Sequence, residues 1–397
     1  MKRILIIIVL VFLYGSNIIA SSIRLSSKSR ISVITADPGQ EELYTAFGHS
    51  AIRVFDPENQ IDYAFNYGVF DFNQPNFYLN FTKGHLNYML GVSDFKRWVY
   101  QYEYYNRSVF EQELDLSQEQ KQAIVDFLTN NALPENKFYL YDYFYDNCAT
   151  RVWDVFEKVF KEDLIFDEKY VETGHTFRTF VDSLTLQQPW GDFGIDLCLG
   201  LPIDKYASAH EYMFLPEFVR RSLEKATLKG ENGFKPIVKK STVYFQSQPK
   251  NSFVEGQVFT PNLVFWSLFV LVAVITFLGY RKEKIKKGID VTLFGIFGLI
   301  GLFLFALWVA TDHKAASNNM NLLWAIPLHL PVAILLLKKK KPSFLKSYFL
   351  FTAVLMVLLV MLWKWIPQGY NAAFMPIALT LGLRALYEYY WLSRQQK

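Results

Sequence analysis

The chain is 397 residues long, 51% hydrophobic and 17% aromatic, which is more apolar side chain than a single soluble domain calls for. Its net charge of +4 is too mild for a nucleic-acid surface, and its basic residues run in short blocks beside apolar stretches, a mark of membrane topology. Two cysteines exclude a disulfide framework and leave Cys148–Cys198 as the one pairing open.

Met1-Lys2-Arg3, an apolar run from Ile4 to Tyr14 and small residues around Ala20 predict a secretory signal peptide over residues 1–21, with an uncleaved anchor as the alternative. Residues 22–261 are then exported. Within them, Ile31 to Asp37 reads as a strand and Glu41 to Ala46 as a short helix. Ala51–Phe55 and Ile61–Tyr67, joined by the turn residues Asp56-Pro57-Glu58-Asn59, predict a hairpin. His49 stands at the mouth of this hairpin behind Gly48, and Asn66 lies near the end of the partner strand, where an amide is able to orient an imidazole. Residues 69–90 have no regular period. Ser93 to Tyr105 reads as a helix, Val109 to Leu116 as a strand, and Ser117 with Gln120 forms a capping box for a helix to about Asn131.

The stretch Asp142-Tyr143-Phe144-Tyr145-Asp146-Asn147-Cys148-Ala149-Thr150-Arg151 then gives way to a helical period at Val152, Val155, Phe156, Val159 and Phe160. Asn147 is a credible N-cap, which puts the Cys148 sulfur at the positive end of a helix, where the thiolate is favoured. A lone cysteine is also readily a small buried hydrophobe, so Cys148 needs a base to count as a nucleophile. Of the four exported histidines, His49 has the best local setting. His85, His175 and His210 have less. Residues 163–230 read as helix or loop, and 234–258 as a polar tether into the membrane.

Apolar runs cover about 262–280, 291–311, 322–337, 344–366 and 372–392, and predict an all-α bundle of five transmembrane helices over residues 262–397. The third run is short and holds Pro327 and Pro331. Lysine-rich loops follow the first and third runs and are predicted cytoplasmic by the positive-inside rule. The 312–321 and 367–371 loops then fall on the same side as Cys148. In the first of them Asp312, His313 and Asn321 are polar enough to meet a lipid headgroup or line the way to the site, or simply to form a solvated loop. There is no HExxH, CxxC, GxSxG or P-loop, so metal, serine-hydrolase and nucleotide chemistry have no anchor.

Phe47-Gly48-His49-Ser50, then Asp146-Asn147-Cys148-Ala149-Thr150-Arg151, then Thr311-Asp312-His313-Lys314 and Asn321-Leu322-Leu323-Trp324 within the span bundle, resemble the Lnb-type lipoprotein N-acyltransferases of Bacteroidetes. The resemblance implies an inner-membrane enzyme without a metal or other cofactor. Its exported α+β domain would be similar to permuted papain-like, NlpC-related thiol enzymes, with a small antiparallel sheet plus helices. It implies Cys148 as nucleophile, His49 as base, and a third polar residue on the following strand, where this chain offers Asn66. Ser50, Asn147, Thr150 and Arg151 are the candidate oxyanion or support residues beside the two motifs, with Asp312, His313 and Asn321 in the outer loop. The implied partners are a phospholipid acyl donor and a diacylglyceryl-modified lipoprotein acceptor. Two other readings stay open: a cell-wall peptide amidase or peptidase using the same pair, and a non-enzymatic envelope assembly protein in which Cys148 is merely buried.

Overall fold

The computed structural model describes residues 23–71, 74–171, 174–248 and 259–395, so the predicted signal peptide lies outside them. The chain opens with β1 (Arg30–Ala36), β2 (His49–Asp56) and β3 (Ile61–Val69), then α1 (Phe77–Lys83), β4 (Asn87–Asp94), α2 (Phe95–Tyr104), β5 (Val109–Leu114), α3 (Gln118–Asn131) and β6 (Phe138–Leu140). After α4 (Cys148–Phe160) come β7 (Leu164–Ile165), α5 (Phe177–Thr185), α6 (Pro189–Cys198), α7 (Ala209–Tyr212) and α8 (Pro216–Lys225). Strands β8 (Thr227–Gly230), β9 (Gly233–Pro236) and β10 (Val238–Phe245) close this part.

Seven strands form one antiparallel sheet in the order β10-β5-β1-β2-β3-β4-β6, and β7-β8-β9 form a second. The sheet is therefore larger than the small one expected. Of the segment read as a polar tether, Val238–Phe245 is β10, which pairs with β5 along the sheet edge, and residues 249–258 lie outside the described residues. Its polar run Lys239-Lys240-Ser241-Thr242 hid it, because an edge strand needs little apolar surface.

Strand periodicity sorts the side chains into two layers. Ile31, Val33, Ile52, Val54 and Phe65 point to a core shared with Val152, Trp153 and Phe156 of α4, Leu128 of α3 and Val219 of α8. Ile34, Ala36, Ala51 and Ala64 point the other way, under Phe95, Trp98, Val99 and Tyr102 of α2. Asp94 caps α2 by accepting from Arg97 N–H, and Ser117 with Gln120 caps α3 as the sequence predicts.

The C-terminal region is helical: α9 (Pro261–Arg281), α10 (Lys287–Ala310), α11 (His329–Leu336), α12 (Phe344–Met361) and α13 (Phe374–Gln395). Three of these, α9, α10 and α12, are long and apolar enough to cross a membrane, so length and composition support three of the five predicted spans. The third predicted span is a 3-10 turn, Met320–Leu323, followed by the short α11. Pro327 lies in the turn before α11, and Pro331 sits in the first turn of α11, where a missing N–H is tolerated, so the helix starts late and stays short. The fifth, α13, has the length but carries Arg384, Glu388 and several tyrosines. Arg384 is buried and bonds both oxygens of Asp290 in α10 at 2.6 Å and Thr276 of α9 at 2.8 Å. An apolar bundle tolerates such a charge only when it is paired this way.

Candidate active site

Gly48 precedes β2 at φ +76°, and a Cβ there would stand 2.9 Å from Ala36 O. A left-handed glycine is what lets the chain turn into the strand with His49 first. The β2–β3 register pairs Ile52 with Phe65, so Ala51 and Asn66 come next in line. His49 and Asn66 thus share the face covered by α2. The His49 ring lies 6.2 Å from that of Trp98 and 6.5 Å from that of Tyr102. Its Nε2 meets Asn66 Oδ1 at 2.5 Å.

From the other side of the sheet end comes α4. Asn147 is buried and caps it, its Oδ1 accepting from Ala149 N–H at 2.8 Å and Thr150 N–H at 3.0 Å. Its Nδ2 donates to Tyr143 O and Phe214 O. Thr150 completes the box by accepting from Asn147 N–H at 2.8 Å. The loop before it is held by Asp142, whose carboxylate accepts from the N–H groups of Phe144 and Tyr145. Arg151 pairs with Asp146 and lies 4.1 Å over the Tyr139 ring. Asn147, Thr150 and Arg151 therefore all shape the turn that delivers Cys148 as the first residue of the helix.

His49 and the backbone N–H groups of Ser50 and Ala149 act electrostatically on the Cys148 sulfur. Burial pushes its thiol up, but the His49 charge and these N–H groups more than offset that, and the thiol titrates below its ordinary value. Burial likewise pulls His49 down, while the Cys148 charge and the hydrogen bond to Asn66 raise it, for a net shift upward. Both shifts favour a thiolate–imidazolium pair. With Nε2 held by Asn66, Nδ1 is the ring nitrogen left for the sulfur. Ser50 contributes backbone here. Its hydroxyl is buried and has no hydrogen-bond partner among the described residues.

Sequence reasoning missed Gly68. It sits at φ +86°, where β3 bulges against β4, and a Cβ there would come 3.3 Å from Cys148 Cβ and 3.4 Å from the Tyr141 ring. A glycine inside a strand pattern was the available signal. Cys198 has no such setting: it is a free thiol, as is Cys148, and burial pushes it up to about 11.

The outer-loop candidates meet the exported domain itself. Asp312 N–H donates to Lys83 O at 2.8 Å, its carboxylate lies 2.6 Å from His85 Nε2, and His313 Nε2 is 3.0 Å from Phe81 O. Asn321 is fully buried, donating to Asp196 O and Leu197 O while accepting from the Trp324 indole. Nearby, Arg178 bonds Asp196 at 2.6 Å and Asp204 at 2.8 Å, and Asn371 reaches Asp192 and Asp196. Asp182, Asp192 and Asp196 are spaced closely enough to hold a metal ion. Arg178, Thr185 and Asn371 already bond two of these carboxylates, which makes the group a domain latch.

Two family models match: one described as the Lnb N-terminal periplasmic domain over residues 23–183, the other as the Lnb transmembrane domain over residues 253–396. The chain belongs to the Lnb family. No curated protein and no solved structure matches it. As an Lnb-type chain it is a membrane protein with a periplasmic domain and a place in lipoprotein maturation. Its His49 and Cys148 both fall within the matched periplasmic part.

Proposed function

We propose that this chain is a thiol-dependent lipoprotein N-acyltransferase of the inner membrane. A signal peptide (1–21), a periplasmic domain (22–261) and a five-crossing bundle (262–397) make up the proposed whole. In it the turn-and-helix segment through α11 and the paired charges of α13 complete the three apolar spans. The observation that carries the reading is the His49–Asn66 hydrogen bond set beside Cys148 at a helix start, where the His49 charge lowers the thiol.

In the first half-reaction the Cys148 thiolate attacks an ester carbonyl of a phospholipid. The Asn147 side chain takes the N–H groups of Ala149 and Thr150, and not that of Cys148, which suits the Cys148 N–H to the oxyanion. His49 gives its proton to the departing glycerol oxygen, leaving a lysophospholipid and a Cys148 thioester. The α-amine of a diacylglyceryl-modified cysteine then attacks the thioester. His49 takes a proton from that amine, the amide forms, and the thiolate is restored. Asn66 keeps the ring turned throughout.

A peptidase would need only a tether, whereas here two outer loops grip the periplasmic domain through Asp312, His313, Asn319, Asn321 and Asn371. That grip suits substrates anchored in the bilayer, since lifting an acyl chain into water costs about 0.8 kcal/mol per CH₂. Incubating the purified chain with phospholipid vesicles and measuring its intact mass tests the reading. A hydroxylamine-labile acyl adduct is expected on wild type and none on Cys148→Ala. An adduct that survives the substitution contradicts it.

A further inference from the structure

Helix α1 is short, and none of its residues is buried. Tyr78 is 74% exposed, Leu79 53% and Phe81 41%, an apolar cluster that water alone does not explain. Its surroundings say what covers it. The span α10 ends at Ala310, and two residues later Asp312 N–H bonds Lys83 O at the end of α1. Gly84 is packed so tightly there that a Cβ would lie 2.9 Å from Asp312 C. A helix fastened within two residues of the end of a membrane span lies at the bilayer surface. Lys83 and Lys314 are exposed beside it and complement phosphate headgroups.

Inward from this cluster runs a line of rings. The Phe81 ring centre lies 6.2 Å from that of Phe77, Phe77 6.4 Å from Phe70, Phe70 5.3 Å from Tyr88, and Tyr88 4.4 Å from Tyr141. Tyr141 is the ring that lies against Gly68 beside Cys148. We infer that α1 is seated in the outer face of the bilayer and that the aromatic line from Phe81 to Tyr141 carries a phospholipid acyl chain to Cys148. The seat stands on the contacts with Asp312. The acyl path rests on the acyl-carrier reading above.

The seat is tested in full-length Cys148→Ala/Cys198→Ala protein reconstituted in phosphatidylethanolamine–phosphatidylglycerol vesicles, with a nitroxide at Leu79→Cys and, for comparison, at Lys158→Cys on the far part of α4. Oxygen is expected to broaden the label at 79 at least several-fold more than a water-soluble nickel chelate, with the reverse at 158. A water-exposed profile at 79 overturns the seat. So does a profile that turns apolar only when a purified diacylglyceryl lipoprotein is added, since the occupant is then that protein.

The path is tested by the double variant Phe77→Ala, Phe81→Ala, which removes two rings of the line and keeps Tyr78 and Leu79 of the seat. Thioester formation from vesicles is expected to fall at least tenfold, while iodoacetamide alkylation of Cys148 stays within twofold of wild type. Unchanged thioester formation overturns the path. Should wild type form no thioester at all, the acyl-carrier reading and the path fail together, while the depth at 79 still decides the seat.

Discussion

Asn66 Oδ1 stands 2.5 Å from His49 Nε2, so the amide of β3 fixes which ring nitrogen faces the Cys148 sulfur. A hydrogen bond to a charged group is worth about 1.5–3 kcal/mol. Asn66→Ala should therefore slow thioester formation about 10- to 100-fold, while leaving the fold intact by circular dichroism. His49→Ala, which removes the proton carrier, should cost more, about 10²- to 10⁴-fold.

The pH dependence of thiol reactivity follows from the same pair. Cys148 titrates below its ordinary value because the His49 charge and the N–H groups of Ser50 and Ala149 outweigh burial. Alkylation by iodoacetamide should thus persist at pH values where a free cysteine is mostly protonated. In His49→Ala burial acts without that opposing charge, and the inflection should move upward. Identical inflections in the two proteins would contradict the ion pair.

Gly68 has φ +86° and faces Cys148 Cβ at 3.3 Å from where its own Cβ would be. Gly68→Ala should destabilise the chain by about 1–2 kcal/mol through the left-handed backbone alone. It should also slow alkylation of Cys148 by pushing the thiol off His49, measured against thermal unfolding of the same sample.

Asp182 is pushed up to about 7 by burial and then by Asp196 and Asp192, and Asp196 up to about 6 by burial despite Arg178. Unfolded aspartates titrate near 3.9. Between about pH 4 and 7 the folded chain holds protons that the unfolded chain has released, so stability falls as pH rises through that window. Asp182→Asn removes part of this slope. Its Tm should exceed that of wild type at pH 8, and the difference should vanish near pH 4.

Asn321 is buried and partners the Trp324 indole at 3.0 Å. Asn321→Ala strands that donor at a cost of about 1–3 kcal/mol and loosens the hold on α6. Faster proteolysis in the 312–321 loop is the expected readout.

Local chemistry explains what was legible in the sequence. Asn147 and Cys148 were readable as cap and first helical residue because both depend on a few adjacent residues. His49 and Asn66 followed from a hairpin whose turn, Asp56 to Asn59, sets the register. Gly68 was not singled out, since the irregular stretch 69–90 begins beside it and its meaning depends on Cys148, eighty positions away. Asp312 and His313 stayed open between a headgroup contact, the way to the site and a solvated loop, because nothing nearby in sequence announces their bonds to Lys83, His85 and Phe81. The α11 segment is short and holds Pro327 and Pro331, so an irregular third run was legible in the sequence, whereas its division into a 3-10 turn and a short helix was not. Strand β10 escaped because its pairing partner, β5, lies more than a hundred residues earlier.

The central claim is that Cys148 carries an acyl chain from a phospholipid to a lipoprotein amine. It is tested most directly by mass spectrometry of a lipoprotein N-terminus from cells lacking N-acylation and supplied with this chain. Wild type should add a third acyl chain, and Cys148→Ala and His49→Ala should leave the lipoprotein diacylated. A triacylated product from Cys148→Ala would contradict the mechanism.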